Sequence, residues 1–471
     1  MKTKLGLFLI LGLLVVLIVG CGGKSPLDPK NPVTLILWHS YEQRMLETVN
    51  ELINEFNSSV GAKEGIIIET GFVAVARELH NKLIAAAGGD PGAPELPDIA
   101  VVYPRAAASL AGKGLLVDLR TRFSEKELSR YVPAFLNEGR FGPDGNLYIL
   151  PIAKSTELLI VNTAIFDRFS RDTGVSLSRL ETFEGIIDAA RKYSAWLDTQ
   201  NLKIPNNGKF FFYPSEQFNH AFVGFKQLGG DFVVDGEFNL ASPLYKRIWE
   251  SYFPYGVKGY MPIFSRYANF LFQSGEIVCA TCTSATVTFL PDTITYADNT
   301  KIQAEYAMLP YPVFENGKKV TAQRGGGASV FKSNDKKEYA ACVFLKWFTE
   351  PEQNLRFTLP LGYMPVTEES FASAMTSALE GVDNANTRKV IETTRRMMED
   401  YEFVFPPAFD GSEEKQSAYS RNALKAASDA RGKYLELLGS MSEDAAFETA
   451  AKGVLETFLE NFQESFIETG N

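Results

Sequence analysis

The chain has 471 residues, a formal net charge of −10 at pH 7 and a pI of about 5.2. This length is sufficient for two or three domains or for two large lobes. Because its negative charge would repel a polyanion, these numbers argue against a nucleic-acid partner. Hydrophobic residues make up 45% of the chain and charged residues 22%, as in an ordinary globular protein.

The N-terminus combines a short basic segment with a longer apolar one. Lys2 and Lys4 precede the uncharged run LGLFLILGLLVVLIVG, which is followed at once by Cys21. The run is too short to cross a bilayer comfortably, so residues 1–20 are predicted to be a signal peptide. Residues 17–21, LIVGC, resemble a bacterial lipobox, in which the cysteine is acylated and becomes the new N-terminus. A plain secretory signal or a short anchor helix is the alternative.

Residues 21–32 are rich in Gly and Pro, which is typical of a flexible tether. Two or more acyl chains on Cys21 would give a stable membrane anchor, whereas a single chain would bind only weakly. The sequence therefore predicts a lipid-anchored protein of the cell envelope. Its body would lie in the periplasm or otherwise outside the cytoplasmic membrane.

Apolar runs and helical periodicity then alternate along the chain. The order strand, helix, strand predicts βαβ units and a mostly parallel sheet. The first predicted elements are strands at 33–38, 66–68 and 98–102, and helices at 45–56, 75–87 and 106–111. The later ones are a strand at 157–161, a helix at 183–197, one or two strands at 276–289, and helices at 337–349, 353–357 and 445–466.

Three cysteines follow the predicted signal peptide and Cys21, and two of them have CxxC spacing. Cys279 and Cys282 have no second pair and no nearby histidine to complete a metal site, and Cys342 stands alone. The pair also lies in an apolar, Thr-rich run typical of a strand, where residues i and i+3 point to opposite faces. Buried free thiols are therefore favoured over a redox centre, and no metal or cofactor is expected.

His39 and Ser40 stand at the junction of the first predicted strand and the first helix. Ser40 and Gln43 fit a capping box, in which the serine bonds a backbone N–H, and this makes Ser40 a poor nucleophile. In open α/β sheets ligands bind at the carboxyl ends of strands, and the N–H groups of a helix start favour anions and sugar hydroxyls. The junction therefore predicts a binding site, with a general base at His39 as the alternative.

Sequence motifs of common enzymes are missing, including GxSxG, HExxH, the Walker loop and GxGxxG. RGGGASV, residues 324–330, is only loosely similar to the last of these, because it lacks the third glycine and an acidic ribose partner. It predicts either a backbone that approaches a ligand closely or a strained turn.

Across residues 33–370 the chain carries, in order, the segments LWHSYE, PDIAVVY, GNLYILPIAKSTELLIVN, FQSGEIVCATCTSAT, LPYP, GGGASVF and LKWFTEPEQNLRFTLPLGYMPV. Together they resemble the extracellular solute-binding proteins of ABC importers, the family that includes maltose- and glycerol-3-phosphate-binding proteins. WHS, GGGASV and GYMPV are closer to the glycerol-3-phosphate branch than to the maltose branch.

This resemblance implies an α/β protein with the two-lobe periplasmic-binding-protein fold of type II. Each lobe would be a mostly parallel sheet flanked by helices, with the ligand in the cleft between the lobes. Lobe I is expected to comprise residues 33–152 and 286–334, and lobe II residues 153–285 and 335–471.

The resemblance also implies which residues surround the cleft. They come from the first helix start, the segment after the third strand, the two crossings between lobes, the glycine turn, GYMPV and YSRNAL. They are His39, Ser40, Glu42, Tyr103, Arg105, Lys154, Ser155, Thr156, Thr283, Ser284, Gly326, Gly327, Tyr363 and Arg421.

Two of the glycerol-3-phosphate branch's features are changed in this chain. Pro104 stands where that branch carries an acidic residue, and Lys154 replaces one of its two adjacent serines. Arg421 is the counterpart that the resemblance offers for its phosphate-binding arginine, and Lys154 could supply positive charge instead.

The function implied is that of a monomeric substrate-binding lipoprotein. It would deliver glycerol 3-phosphate, a glycerophosphodiester or a carbohydrate to the transmembrane subunits of an ABC permease, without a cofactor and without enzymatic activity. A secreted hydrolase acting on phosphoesters or glycans is the alternative, and it would need a metal cluster or paired carboxylates in the cleft. A surface adhesin would have no need of a cleft.

Overall fold

The computed structural model describes residues 25–41, 43–73, 76–142, 144–200, 209–409 and 411–467. The predicted signal peptide, the acylation site Cys21 and the candidate ligand residue Glu42 lie outside these residues.

Two sheets form the framework of the molecule. Their strands are β1 (Val33–His39), β2 (Ile66–Phe72), β3 (Ile99–Val102), β4 (Leu150–Pro151), β5 (Ser155–Asn162), β6 (Phe210–Pro214), β7 (Ile277–Thr283), β8 (Tyr306–Leu309), β9 (Val320–Arg324), β10 (Gly327–Val330) and β11 (Glu402–Val404). Outside them, the described residues also form three two-stranded ribbons, at Arg140–Phe141 with Asn146–Leu147, Val233–Val234 with Glu237–Phe238, and Thr293–Thr295 with Lys301–Gln303.

Helices cover the faces of both sheets. Those of eight residues or more in the described part are α1 (Gln43–Ser58), α2 (Ala76–Gly88), α3 (Pro104–Gly112), α4 (Thr163–Thr173), α5 (Phe183–Thr199), α6 (Gln217–Gln227), α7 (Pro243–Glu250), α8 (Asp335–Phe348), α9 (Pro351–Thr358), α10 (Ala385–Asp400), α11 (Ser412–Leu437), α12 (Glu443–Ala451) and α13 (Val454–Ile467). None of the helices in the described ranges has the length and apolarity needed to cross a membrane.

The first sheet has the strand order β2-β1-β3-β10-β4 and is the centre of lobe I. β1 pairs in parallel with β2 and β3, as a βαβ unit requires, and β10 runs antiparallel to β3 and β4. The second sheet has the order β11-β9-β5-β7-β6, with β8 also paired to β5, and is the centre of lobe II. β5 runs antiparallel to β7, β8 and β9, while β7 pairs in parallel with β6 and β9 with β11, so both sheets are mixed rather than mostly parallel.

β5 is the most deeply buried strand of lobe II. Its sequence STELLIVN is buried at all eight positions, because strands pair along both of its edges and consecutive side chains, which point to opposite faces, all pack into the core. In lobe I, the predicted apolar face of α1 packs into the core through Val49, Leu52, Ile53 and Phe56.

The division of the chain between lobes differs from the expected one after residue 285. β8 and β9 were expected in lobe I, but they hydrogen-bond to β5 of lobe II. α8 was expected in lobe II, but Phe344 and Leu345 pack in the same core as Leu35 of β1. The chain enters lobe I between β9 and β10, at Gly325 and Gly326, and returns to lobe II between α9 and α10.

The C-terminal segment also differs from the expected single helix at 445–466. It forms α12 and α13, which are separated at Gly453 with a φ of 74°. A glycine adopts this left-handed conformation readily, so it ends one helix and allows the chain to turn before the next.

Candidate functional site

A cavity of about 790 Å³ lies between the two lobes. Lobe I contributes the segments that follow β1 and β3, which end at the same edge of the first sheet. Lobe II contributes the beginning of α6, the segment before α11 and the first turn of α11. The crossing segments close the third side through Ala153 and Gln323–Gly326. The carboxyl ends of parallel strands are where open α/β sheets bind ligands.

Three tyrosines line one side of this cavity. Tyr41 stacks on His39 with ring centroids 5.2 Å apart, and its ring edge meets Phe357 at 5.4 Å. Tyr103 is 52% exposed, and Tyr363 is half-buried beside it. Burial raises the pKa of Tyr363 to about 12 and that of Tyr41 far above its usual range. All three therefore present aromatic faces and protonated hydroxyls to a ligand at neutral pH.

His39 lies beneath this layer and does not line the cavity. Its Nδ1 accepts a hydrogen bond of 3.2 Å from the Tyr41 backbone N–H. Burial lowers the pKa of His39 to about 4, because the charged imidazolium loses its hydration. A neutral, buried ring of such low basicity is poorly suited to the alternative role of general base.

The rim of the cavity carries ion pairs between the lobes. Arg105 of α3 donates to Glu413 at 2.6 Å and to Glu414 at 2.9 Å, and both glutamates belong to the first turn of α11. Within lobe II, Arg324 at the end of β9 reaches Glu157 of β5 at 3.4 Å. The guanidinium of Arg105 is thus used to hold lobe I against lobe II.

The bottom of the cavity is polar. Glu138 lines it, and its Oε2 accepts hydrogen bonds from the buried ammonium of Lys154 and from Gln323 Nε2, the latter at 3.0 Å. Lys154 also donates to the carbonyl of Gly325 at 3.1 Å. Lys154 therefore ties the two crossing segments together and does not itself line the cavity.

The structure brings five of the sequence-predicted residues to the cavity wall, namely Ser40, Tyr103, Arg105, Gly326 and Tyr363. It places eight others elsewhere, namely His39, Lys154, Ser155, Thr156, Thr283, Ser284, Gly327 and Arg421. Lys154 and Thr156 hold separate parts of the protein together. Thr156 donates to the Ala322 carbonyl and bonds Thr321, and so joins β5 to β9. Arg421 is exposed on α11.

Several cavity residues were not found by sequence reasoning, among them Glu138, Asn219 and Gln323. Glu138 stands in a turn after a short helix, where neither hydrophobic periodicity nor a motif distinguishes it. Asn219 lies within the buried helix α6 and donates to Glu157. A buried polar residue in the middle of an apolar helix, as in QFNHAF, is the one signal that points to a special role.

Metal and thiol chemistry find no support at this site. No group of three or more His, Cys, Asp or Glu side chains within the described ranges could hold a metal ion. Cys279, Cys282 and Cys342 are free and buried, which confirms the prediction of buried thiols. Burial raises the pKa of the Cys342 thiol to about 12, so it stays protonated.

Two α/β lobes that share a cavity, with a chain that crosses repeatedly between them, define a two-lobed solute-binding protein. The model of the bacterial extracellular solute-binding proteins matches residues 51–384, and the chain belongs to that family. Proteins of this family are extracellular and bind solutes, so the folded part of this chain lies outside the cytoplasm and its role is solute binding. The expected two-lobe α/β fold is thereby confirmed.

Solved structures share this fold along nearly the whole chain. The cyclic α-maltosyl-1,6-maltose binding protein from Arthrobacter globiformis has 22% identity and a TM-score of 0.67, with 92% of this chain and 100% of that chain covered. UgpB from Mycobacterium tuberculosis in complex with glycerophosphocholine has 17% identity and a TM-score of 0.65, over 92% and 99%. The sugar-binding protein MalE from Xanthomonas citri has 16% identity and a TM-score of 0.64, with 93% of this chain and 100% of that chain covered. No curated protein matches the chain significantly in sequence.

Proposed function

We propose that this chain is the substrate-binding lipoprotein of an ABC importer. It captures glycerol 3-phosphate, a glycerophosphodiester or a carbohydrate and delivers it to the transmembrane subunits of the permease. The observation that carries this proposal is the cavity of about 790 Å³ whose walls come from both lobes. Pockets of roughly 300–1,000 Å³ enclose ligands of disaccharide or drug size.

The chemistry of the wall supports a hydroxylated ligand. Aromatic faces cover the C–H surfaces of sugars and polyols, while phenol, carboxylate and amide groups bond their hydroxyls. Arg44 and Arg77 also line the cavity, and neither forms an ion pair with a described carboxylate. Free guanidinium groups suit the oxygens of a phosphate. Structural relatives named for binding glycerophosphocholine and maltose-type sugars support the same ligand classes.

Capture and delivery follow from the two-lobe geometry. A ligand that touches both lobes binds the closed form more tightly and so shifts the population toward closure. One chain supplies every described wall of the cavity, so a monomer is sufficient for binding. Acylation at Cys21 would hold the protein beside the permease.

The ligand proposal is tested by thermal melts of the acyl-free protein, residues 22–471. The compounds are glycerol 3-phosphate, glycerophosphocholine, maltose and maltotriose. A compound present at 100 times its Kd adds about 2.7 kcal/mol to the unfolding free energy, which moves the Tm by several degrees. If all four leave the Tm unchanged, the proposed ligand classes are wrong.

The anchor is tested separately in cells. The wild-type protein should partition into the detergent phase, and Cys21→Ala should move to the aqueous phase. Partition of the variant with the detergent would show that Cys21 is not the anchor.

A further inference from the structure

The two carboxylate oxygens of Glu138, at the bottom of the cavity, differ in their hydrogen bonding. The Glu138 side chain is only 8% exposed, yet it lines the cavity. Its Oε2 accepts both described hydrogen bonds, from the Lys154 ammonium and from Gln323 Nε2. One face of the carboxylate is therefore fixed by two donors from the crossing segments.

The other carboxylate oxygen of Glu138, Oε1, is available to a donor in the cavity. Oε1 accepts no hydrogen bond from the residues that the structure describes, and it is not among the side-chain atoms sealed from solvent. In a group that is nine-tenths buried and lines the cavity, the accessible oxygen faces the cavity. A hydroxyl that enters the cavity can therefore donate a charge-assisted hydrogen bond to this oxygen.

The charge around Glu138 limits the kind of donor. Lys154 is 2% exposed and its ammonium contacts the carboxylate, so the pair is neutral as a unit. Lys154 also donates to the Gly325 carbonyl, so moving it away would break both of these bonds and leave the Glu138 charge without its counter-ion. A ligand cation would meet the Lys154 ammonium behind the carboxylate, whereas a neutral hydroxyl meets no such repulsion.

We propose that Glu138 Oε1 accepts a hydrogen bond from a hydroxyl group of the bound solute, with Lys154 and Gln323 as the residues that position it. This inference rests on the proposed function and specifies which part of the ligand reaches the bottom of the cavity. The ligand is then a polyol or sugar that enters with a hydroxyl group first, and any charged group it carries lies toward the rim, near Arg44 and Arg77.

Glu138→Gln changes the polarity of this position without changing its shape. The amide oxygen turns toward Lys154 and Gln323, which both donate, so the NH₂ group faces the cavity. An acceptor for the ligand becomes a donor. Because a hydrogen bond to a charged group is lost, the affinity should fall at least about tenfold.

The experiment separates binding from stability with four variants. Glu138→Gln, Lys154→Met and the double variant are compared with Glu250→Gln, an exposed carboxylate paired with Lys246 on α7. Calorimetric titrations with glycerol 3-phosphate, glycerophosphocholine, maltose and maltotriose accompany thermal melts of each protein without ligand. Either single variant should melt lower, because it leaves one buried charge without its partner.

The double variant shows whether Glu138 binds the ligand or only stabilises the fold. It should regain much of the lost stability, since no buried charge is left unpaired, but its affinity should stay at least about tenfold below that of Glu250→Gln. If the double variant binds a compound as tightly as Glu250→Gln does, Glu138 has a structural role only, and the proposed function stands. If none of the four compounds binds the wild type, the hydroxyl assignment and the proposed ligand classes are both overturned.

Discussion

At the scale of single residues, two buried histidines carry a consequence for pH. His39 lies beneath Tyr41, and His220 of α6 is buried with its Nε2 bonded to Ser251 Oγ at 2.9 Å. Burial lowers the pKa of both to about 4 from an ordinary value of 6.5. Both rings are therefore neutral in the folded protein at neutral pH.

We predict that the protein loses stability as the pH falls from about 6.5 to 4. The unfolded chain binds protons on these histidines in that interval and the folded protein does not, so protonation favours unfolding. Each histidine accounts for up to about 3 kcal/mol at the acid end. Urea unfolding between pH 7.5 and 4.5 measures the slope, and His220→Gln should make it shallower. An unchanged slope in that variant would contradict the assignment.

Two glycines at the crossing, Gly325 and Gly327, have different roles. Gly325 has a φ of 95°, which few other residues adopt. A Cβ on Gly327 would lie 2.4 Å from Ile149 Cγ2 and 2.5 Å from the Leu150 carbonyl. The sequence left open a close approach to a ligand or a strained turn. The structure shows a left-handed turn followed by close approach to the protein's own strands.

Gly327→Ala is expected to lower the unfolding free energy by about 1–3 kcal/mol, because the added methyl group overpacks lobe I. Affinity should be nearly unchanged in the folded fraction, since Gly327 does not line the cavity. The control is Gly432→Ala in α11, where a Cβ meets no atom within 4 Å. That variant should be up to about 1 kcal/mol more stable than the wild type by urea unfolding.

At the scale of elements, local sequence pattern predicted the positions of many strands and helices, but it did not predict how the strands pair. The strand at 98–102 and the helix at 183–197 appear as Ile99–Val102 and Phe183–Thr199, because their periodicity is local. The region 276–289 forms one strand, Ile277–Thr283, followed by a 3₁₀ turn. The direction of β5 against its neighbours depends on tertiary packing, which no local pattern contains.

The same distinction applies to the candidate site. Ser40 and Tyr103 could be predicted because both follow a strand at the binding edge of a sheet, which is a local rule. Glu138 and Gln323 could not, because they are 185 residues apart in the chain and become neighbours only when the tertiary structure forms. Lys154 was predicted as a ligand residue from the family resemblance, with its positive charge as an added reason, and in the structure that charge is paired with Glu138.

The C-terminal helix α13 should stabilise lobe II without taking part in binding. Phe458 is buried, with its ring centroid 5.0 Å from Trp249 and 5.9 Å from Tyr419. Phe458→Ala is expected to cost about 3–5 kcal/mol of unfolding free energy. Thr457→Ala on the exposed face of the same helix is the control in chemical denaturation. An equal loss in both variants would show that α13 acts through helix formation and not through the aromatic cluster.

At the scale of the whole molecule, the lobes are joined on two sides of the cavity. The crossing segments meet at Lys154, whose backbone forms a two-hydrogen-bond bridge with Met364. At the rim, Arg105 pairs with Glu413 and Glu414 of the other lobe. The crossing segments are also continuous polypeptide and so keep the lobes joined, whereas the ion pairs at the rim would break if the lobes opened.

Arg105→Gln is expected to favour the open form. Exposed ion pairs contribute about 0–1 kcal/mol each, so the ratio of open to closed molecules should rise by a factor of a few. Small-angle scattering without ligand should show a larger radius of gyration than the wild type at low salt. The difference should vanish near 1 M salt, where the screening length is about 3 Å. Arg120→Gln, which breaks a pair with Asp118 within lobe I, should leave the radius unchanged.

The strand order of lobe I means that its sheet can form only after the chain has been synthesised as far as β10. β10 lies between β3 and β4 in the sheet, yet the chain reaches it only at Gly327, after most of lobe II. A growing chain that ends before residue 327 leaves β3 and β4 without their shared neighbour, and contacts between such distant segments form slowly. Pulsed hydrogen exchange should show the amides of β3 and β10 becoming protected together and late. A polypeptide that folds only when its synthesis is nearly complete stays unfolded until then. An unfolded chain is the form that can pass through a membrane pore.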